Sequence, residues 1–194
     1  MTLNLRAAAL TDIKEIEVEQ KFIMTAFGKD RPGIVADISE MIYENHCNLE
    51  DSNMGRLADE FTLILLLTGQ GDDLEDRLSK DCRRLEREKG ISAFIRPLEY
   101  RHLPNGNGKP TITIGVEGID QGGIVFKVSR LLAKKQVNIE TLASKKKYSP
   151  GSGTALYAME IKATVPDGLS MDALEEELEY LESELHVDIS LDRA

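Results

Sequence analysis

The sequence predicts an α+β protein made of two copies of one unit, in which the elements follow the order strand, helix, strand, strand, helix, strand. Two observations lead to this fold class. The segment "FGKDRPGIVADIS" from Phe27 resembles "EGIDQGGIVFKVS" from Glu117, which reveals an internal repeat. In each copy the apolar residues alternate as in β-strands and then recur at helical intervals.

The repeat has a fixed register. Asp30 and Asp120 are 90 residues apart (120 − 30), and the same offset holds without a gap for eight identical pairs. These pairs are Gly28/Gly118, Asp30/Asp120, Gly33/Gly123, Ile34/Ile124, Val35/Val125, Ser39/Ser129, Asn48/Asn138 and Glu50/Glu140. Farther along, Phe61 matches Tyr157 at an offset of 96 (157 − 61), so the second copy has about six additional residues. We expect them in "SKKKYSPGSG", as a solvated hairpin tip, a lid or a partner contact.

The elements follow from the spacing of apolar residues. The first strand and its repeat alternate, the two helices of each copy have apolar residues at intervals of three and four, and "EFTLILLLTG" is apolar enough for a central strand. The apolar positions predicted for strands are Phe22, Met24, Ala26, Ile112, Ile114 and Val116. Those predicted for helices are Ile34, Val35, Ile38, Met41, Ile42, Leu74, Leu78, Cys82 and Leu85, with Ile124, Val125, Val128, Leu131, Leu132, Leu174, Leu178, Leu181 and Leu185 in the repeat.

The order βαββαβ is the split-βαβ, ferredoxin-like plan, with both helices on one face of an antiparallel sheet. We expect an N-terminal extension at 1–19, a first domain at 20–98, a linker at 99–110 and a second domain at 111–194, because "EYRHLPNGNGKP" breaks regular structure. A copy of this size buries a thin core and leaves sheet edges open, so we expect the two copies to pack side by side.

Composition excludes several classes of function. The net charge of −10 argues against direct binding to nucleic acid or to an anionic membrane, and no apolar run is long enough for a membrane helix. The first 20 residues lack the pattern of a secretory signal, so we expect a cytoplasmic protein. Cys47 and Cys82 are expected to be reduced thiols in a core, and the three histidines are too scattered for a metal site. We therefore expect no metal and no cofactor.

The loop between the first strand and the first helix carries the most chemistry. Asp30 is a candidate N-cap, Pro32 suits a first helical turn, and Gly33 allows close approach of the backbone. A helix start also attracts a carboxylate, while Asp30 could hold an ammonium group and Asn48, expected at the same end of the sheet, could donate and accept hydrogen bonds. A structural cap and a site for a zwitterionic amino acid are both consistent with these residues.

The segments "KDRPGIVADISEMIYENHCNLED" and "GIDQGGIVFKVSRLLAKKQVNIETL" resemble the ACT domain, a small ligand-sensing module of amino-acid metabolism. The tandem layout is similar to that of the glycine cleavage system transcriptional repressor family. The resemblance implies that a ligand lies between paired ACT domains, against the loop and the Asn of the following strand. The implied ligand-binding residues are Asp30, Arg31, Pro32, Gly33, Ile34 and Asn48, with Asp120, Gln121, Gly122, Gly123, Ile124 and Asn138 in the second copy. Gly28 and Gly118 stand where serine-sensing members have a polar residue, which leaves the choice of ligand open.

The resemblance implies a non-enzymatic regulator that binds a small amino acid, forms a homo-oligomer and acts on a protein partner. The acidic C-terminal helix is expected to be a solvated face or a docking surface for a basic partner. One alternative is an assembly subunit that binds no ligand. A second is an acylphosphatase-like hydrolase, because Arg31 and Asn48 resemble the residue pair that those enzymes use on this fold, although no catalytic base stands out.

Overall fold

The computed structural model describes residues 19–98, 110–149 and 152–193, which form two compact units. The first unit contains β1 (Gln20–Lys29), α1 (Ile34–Glu44), β2 (Asn48–Leu57), β3 (Glu60–Gly69), α2 (Leu74–Lys89) and β4 (Ser92–Pro97). The second contains β5 (Thr111–Ile119), α3 (Ile124–Lys134), β6 (Asn138–Tyr148), β7 (Ala155–Thr164), α4 (Met171–Leu185) and β8 (Val187–Arg193). The predicted βαββαβ order is confirmed in both copies. The predicted extension and linker lie almost wholly outside the described residues.

Each unit has one four-stranded antiparallel sheet. The strand order is β2-β3-β1-β4 in the first unit and β6-β7-β5-β8 in the second. Because β1 and β2 both pair antiparallel with β3, they run in the same direction, and α1 returns the chain from the end of β1 to the start of β2. The apolar segment "EFTLILLLTG" is the interior strand β3, as its composition predicted.

The core of the first unit lies between one sheet face and both helices. Alternate residues of β1 and β3 are buried, and the helix positions predicted to be apolar are buried against them except Val35, which is 46% exposed. In the second unit Val125 is likewise 40% exposed, and Leu131 is only partly buried. Buried residues of β1 and β3 are Phe22, Met24, Ala26, Phe61, Leu63, Leu65 and Leu67. Cys82 belongs to this core, where burial raises the pKa of its thiol to about 11, and Cys47 is half-buried beside it. Both thiols are free, as expected.

The second unit repeats this arrangement with different side chains. Ile112, Ile114 and Val116 of β5 take the places of the buried β1 residues, and α3 and α4 cover them. The two units also share a β-bulge at equivalent positions, which lies between Leu49 and Asp51 in β2 and between Ile139 and Thr141 in β6. The six additional residues fall in the β6–β7 hairpin, where the Ser149 amide donates to the Thr154 carbonyl at 2.9 Å.

Among the described residues, no helix is long and apolar enough to cross a membrane. The same ranges contain no cluster of three His, Cys, Asp or Glu side chains that could hold a metal ion.

Two glycines at strand ends are required by close backbone packing. A Cβ on Gly118 would lie 2.7 Å from Cγ1 and 3.1 Å from the Cα of Val187 on β8. A Cβ on Gly28 would lie 3.0 Å from the Gly90 carbonyl oxygen, just before β4. This packing explains why both copies have glycine at this position.

Replacing Gly118 by alanine should lower the free energy of unfolding by about 1–3 kcal/mol, because β5 and β8 must separate to accept the methyl group. Gly122→Ala is the matched control, since a Cβ at this position would have no atom within 4 Å and the φ of Gly122 is not positive. That variant should change stability by less than about 0.5 kcal/mol. Urea unfolding followed by circular dichroism measures both values, and equal midpoints for the two variants would contradict the packing argument.

Candidate functional site

The predicted site lies on the loop from β1 to α1 and on its repeat from β5 to α3. α1 begins at Ile34, and its N-cap is Gly33, whose φ of 89° is left-handed. Gly123 caps α3 in the same way with a φ of 100°. The prediction that Asp30 caps the helix and that Pro32 lies in its first turn is therefore wrong. Glycine is required here because a side chain is strained at this backbone conformation.

In α1 and α3, the first helix of each unit, no N-cap side chain accepts a hydrogen bond from the first amide groups. Neither α1 nor α3 has a side-chain hydrogen bond at its N-cap, whereas Ser170 accepts from the Ala173 amide at the start of α4. The first amide groups of a helix have no acceptor within the helix and carry partial positive charge. The two repeated loops thus present donors that an anionic group could use.

Asp30 and Asp120 instead form equivalent ion pairs. The Asp30 carboxylate lies 3.4 Å from the Arg56 guanidinium, and Asp120 lies 2.6 Å from the Lys146 ammonium group. Arg56 and Lys146 are related by the same offset of 90 residues (146 − 56), so this cation belongs to the repeat although sequence reasoning missed it. The paired Asp120 carboxylate raises the pKa of Lys146 through a hydrogen bond.

A second carboxylate organises the loop of the first unit. Asp37, in the first turn of α1, lies 2.6 Å from Arg31 and 3.0 Å from Lys89 at the end of α2. Hydrogen bonds from these two cations hold the pKa of Asp37 below its usual value. In the second unit the loop is tied down differently. The Gln121 side chain donates to the Leu185 carbonyl, and Lys127 pairs with Glu184 at 2.8 Å.

The register places Asn48 far from the loop. Asn48 pairs with Thr68, which pairs with Lys21 near the start of β1, whereas Asp30 follows the last residue of β1. Eight residues of strand, or about 26 Å, separate the two levels. Asn138 stands in the same relation to Asp120, because it pairs with Thr164 beside Thr111. The expectation that Asn48 lies at the same end of the sheet as the loop is wrong, since α1 carries the chain back along the length of β1.

The same distance weakens the hydrolase alternative. That alternative depended on Arg31 and Asn48 acting together, but the two residues lie at opposite ends of β1, and Arg31 is engaged with Asp37. The observation that favoured an acylphosphatase-like activity is therefore absent from the first unit.

The acidic helix α4 uses part of its charge within its own unit. Glu177 pairs with Lys135, Glu184 with Lys127, and Glu175 with Arg193 at 3.3 Å. Other acidic side chains of α4, among them Glu176 and Glu179, are exposed. Lys146, from the basic segment "SKKKYSPGSG", lies on β6 and pairs with Asp120.

Comparisons with known proteins agree with this architecture. Residues 20–96 match the family model described as "ACT domain". The "Glycine cleavage system transcriptional repressor" of Escherichia coli strain K12 is 25% identical over 169 residues, which cover 87% of each chain. A UPF0237 protein of Methanopyrus kandleri is 31% identical over 75 residues, or 38% of this chain and 83% of that protein. A crystal structure described as a glycine cleavage system transcriptional repressor is 25% identical, with a TM-score of 0.67, over 91% of this chain and 98% of that chain.

The ion pairs of Asp37 predict a pH-dependent loss of stability. Its lowered pKa means that the deprotonated form stabilises the folded state above the ordinary value of 3.8, and that this contribution is lost as pH falls through the lower folded value. Asp37→Asn should therefore lower Tm at pH 7, and the difference from the unmodified protein should shrink below pH 3.8.

Glu40→Gln, on the same helix, is the control, because Glu40 forms no ion pair among the described residues. Thermal melts of the three proteins between pH 7 and pH 3 make the comparison. The stabilising role of the Asp37 ion pairs would be contradicted if both variants lost Tm equally at pH 7. It would also be contradicted if the Tm difference between Asp37→Asn and the unmodified protein did not change with pH.

Proposed function

Since the chain belongs to the ACT-domain family and carries two such domains in tandem, we propose that it is a non-enzymatic regulator that binds a small amino acid. The observation that carries the proposal is the repeated loop. In both units an uncapped helix start lies beside an aspartate that is held by an exposed or half-exposed cation. A ligand with one carboxylate and one ammonium group matches this pair of charges.

The ligand carboxylate would dock on the first amides of α1, where a helix terminus favours an anion. The ligand ammonium would replace the Arg56 guanidinium at Asp30. This exchange costs little, because the Arg56 side chain is 68% exposed and such surface pairs contribute about 0–1 kcal/mol. The proposed loop residues are Asp30, Arg31, Pro32, Gly33 and Ile34, with Asp120, Gln121, Gly122, Gly123 and Ile124 in the second unit.

The first unit is the stronger candidate. Arg31 lies at its helix start and provides a cation that a carboxylate could use, whereas Gln121 is neutral and already bonded to the Leu185 carbonyl. Lys146 also holds Asp120 more closely than Arg56 holds Asp30. We expect the second loop to bind the same ligand more weakly.

Asn48 and Asn138 can contact the ligand only if it lies between two ACT domains. Either Asn is about 26 Å along the strand from the loop of its own unit. A ligand that contacts a loop and one of these residues must therefore lie between two ACT domains, whether of one chain or of two subunits. We propose such a contact between paired ACT domains as the ligand site, and a homo-oligomer as the assembled form.

The regulatory output would pass through a protein partner. The Escherichia coli relative is described as a transcriptional repressor, but the net charge of −10 disfavours direct contact with DNA phosphates. We propose that the protein acts in the cytoplasm on a regulator of amino-acid metabolism. The assembly alternative, in which the ACT pair binds no ligand, predicts equal recovery of a partner with and without amino acids.

A screen of the twenty amino acids by thermal melting tests ligand binding. A ligand at 100 times its Kd should stabilise the folded protein by about 2.7 kcal/mol, which appears as an increase in Tm. The proposal fails if none of the twenty changes Tm.

Variants of the aspartates locate the binding site. Asp30→Asn should reduce the ligand-induced increase in Tm more than Asp120→Asn does, because the first loop is proposed to bind more tightly. Asp192→Asn is a matched control at the far end of the sheet, beside Thr113, and should leave the increase unchanged. A response that survives loss of both loop aspartates would place the ligand elsewhere.

A further inference from the structure

The open face of the first sheet, opposite its helices, is apolar. Outward residues of β1, β3 and β4 include Phe94, Ile64 and Phe27, which are 63%, 51% and 42% exposed. Phe27 and Phe94 stack on each other with ring centroids 6.2 Å apart. Ile23 and Leu66 lie half-buried on the same face. We call this surface the open face of the first unit.

The second unit has a polar open face on the same backbone. The positions equivalent to Phe27, Ile64 and Phe94 are occupied by Glu117, Glu160 and Ser190. Leu66 corresponds to Lys162. Because a solvated sheet face of this fold needs no large apolar residues, the apolar set in the first unit requires a different explanation.

The charges of the open face lie in a specific order. Asp51 on edge strand β2, Leu66, Ile23 and Arg96 on edge strand β4 form one row across the sheet. Asp51 and Arg96 are both exposed, and neither forms an ion pair within the described residues. Three strand spacings, about 14 Å, separate them, so they cannot pair within one sheet.

A two-fold axis parallel to the strands would pair these charges between two chains. Such an axis exchanges the left and right edges of the sheet and keeps the level along the strands, so Arg96 of each chain faces Asp51 of the other. The next row is β2 Asn53, Ile64, Thr25 and β4 Phe94, and the one after it is Gly55, Thr62, Phe27 and Ser92. The same operation sets each large side chain of these rows against a smaller one, namely Phe94 over Asn53, Ile64 over Thr25 and Phe27 over Thr62.

We propose that the open face of the first unit is a two-fold interface with the same face of a second chain. A four-stranded face about nine residues long covers about 600 Å². Two such faces bury about 1,200 Å² in total, at the lower end of specific protein interfaces. Aligned packing of two sheets is a common arrangement, and a two-fold interface needs the self-complementary surface that these rows provide. The inference does not depend on ligand binding, because the face and the loop use different residues. The axis also keeps Asn48 and the loop at opposite ends of the paired sheets, so a ligand shared between ACT domains would lie at a different contact from this one.

Sedimentation equilibrium of the full chain and matched variants tests the interface. Phe94→Glu should halve the assembly mass, because it places two carboxylates in the apolar contact. Ser190→Glu, the equivalent change in the second unit, should leave the mass unchanged. Circular dichroism and a thermal melt establish that both variants remain folded.

A charge exchange tests the orientation of the axis. Arg96→Asp alone should raise the Kd of association at least about tenfold, because it brings two carboxylates together. Asp51→Arg combined with Arg96→Asp restores the pair in reverse and should return the Kd to near its original value.

Three results would overturn the proposal: a monomeric unmodified protein, an unchanged mass for Phe94→Glu, or no recovery in the charge exchange. A monomer whose Phe27 and Phe94 side chains resist hydroxyl-radical labelling would mean that another segment of the chain covers the face.

Discussion

Burial of one sheet face under two helices is the contact on which each unit of this protein depends. In the first unit, Phe22, Met24 and Ala26 of β1 belong to the core formed with both helices. The residues that alternate with them point to the opposite face of the sheet, which no helix covers. The ferredoxin-like plan therefore fixes one face of the sheet and leaves the other free to vary. The loop at the end of β1 and the open face of the sheet are both consequences of this one-sided packing.

The repeated residues combine structural and functional constraints. Gly28 and Gly118 leave room for the chain at the starts of the neighbouring strands β4 and β8, and Gly33 and Gly123 are needed because the chain turns through a left-handed conformation into the helix. These constraints leave the helix start without a side-chain cap. The proposed amino-acid site is therefore a product of backbone geometry, and the adjacent aspartates and cations determine which charges it attracts.

The two units share a backbone plan but differ in chemistry. Arg31 binds Asp37 in the first unit, whereas Gln121 binds a carbonyl at the end of α4 in the second. Lys127 occupies the position equivalent to Asp37, and its partner is Glu184. The open faces diverge even more, since one is aromatic and aliphatic and the other carries acids and small residues. A duplicated domain has thus kept its buried positions while its two surfaces acquired different properties.

The order of elements, most of the buried positions and the two repeated loops could be predicted from the sequence, because alternation and helical spacing report directly on which side chains leave water. Val35 and Val125 are the exceptions, since both are exposed. The additional residues were also correctly placed in a hairpin. The position of Asn48 at the opposite end of the sheet from Asp30 could not be predicted, because it depends on the direction in which α1 returns the chain. The pairs Asp30–Arg56 and Asp37–Lys89 join residues 26 and 52 positions apart (56 − 30 and 89 − 37), and the row from Asp51 to Arg96 crosses four strands. Such contacts depend on strand register, which follows from packing of the whole unit and not from any local pattern.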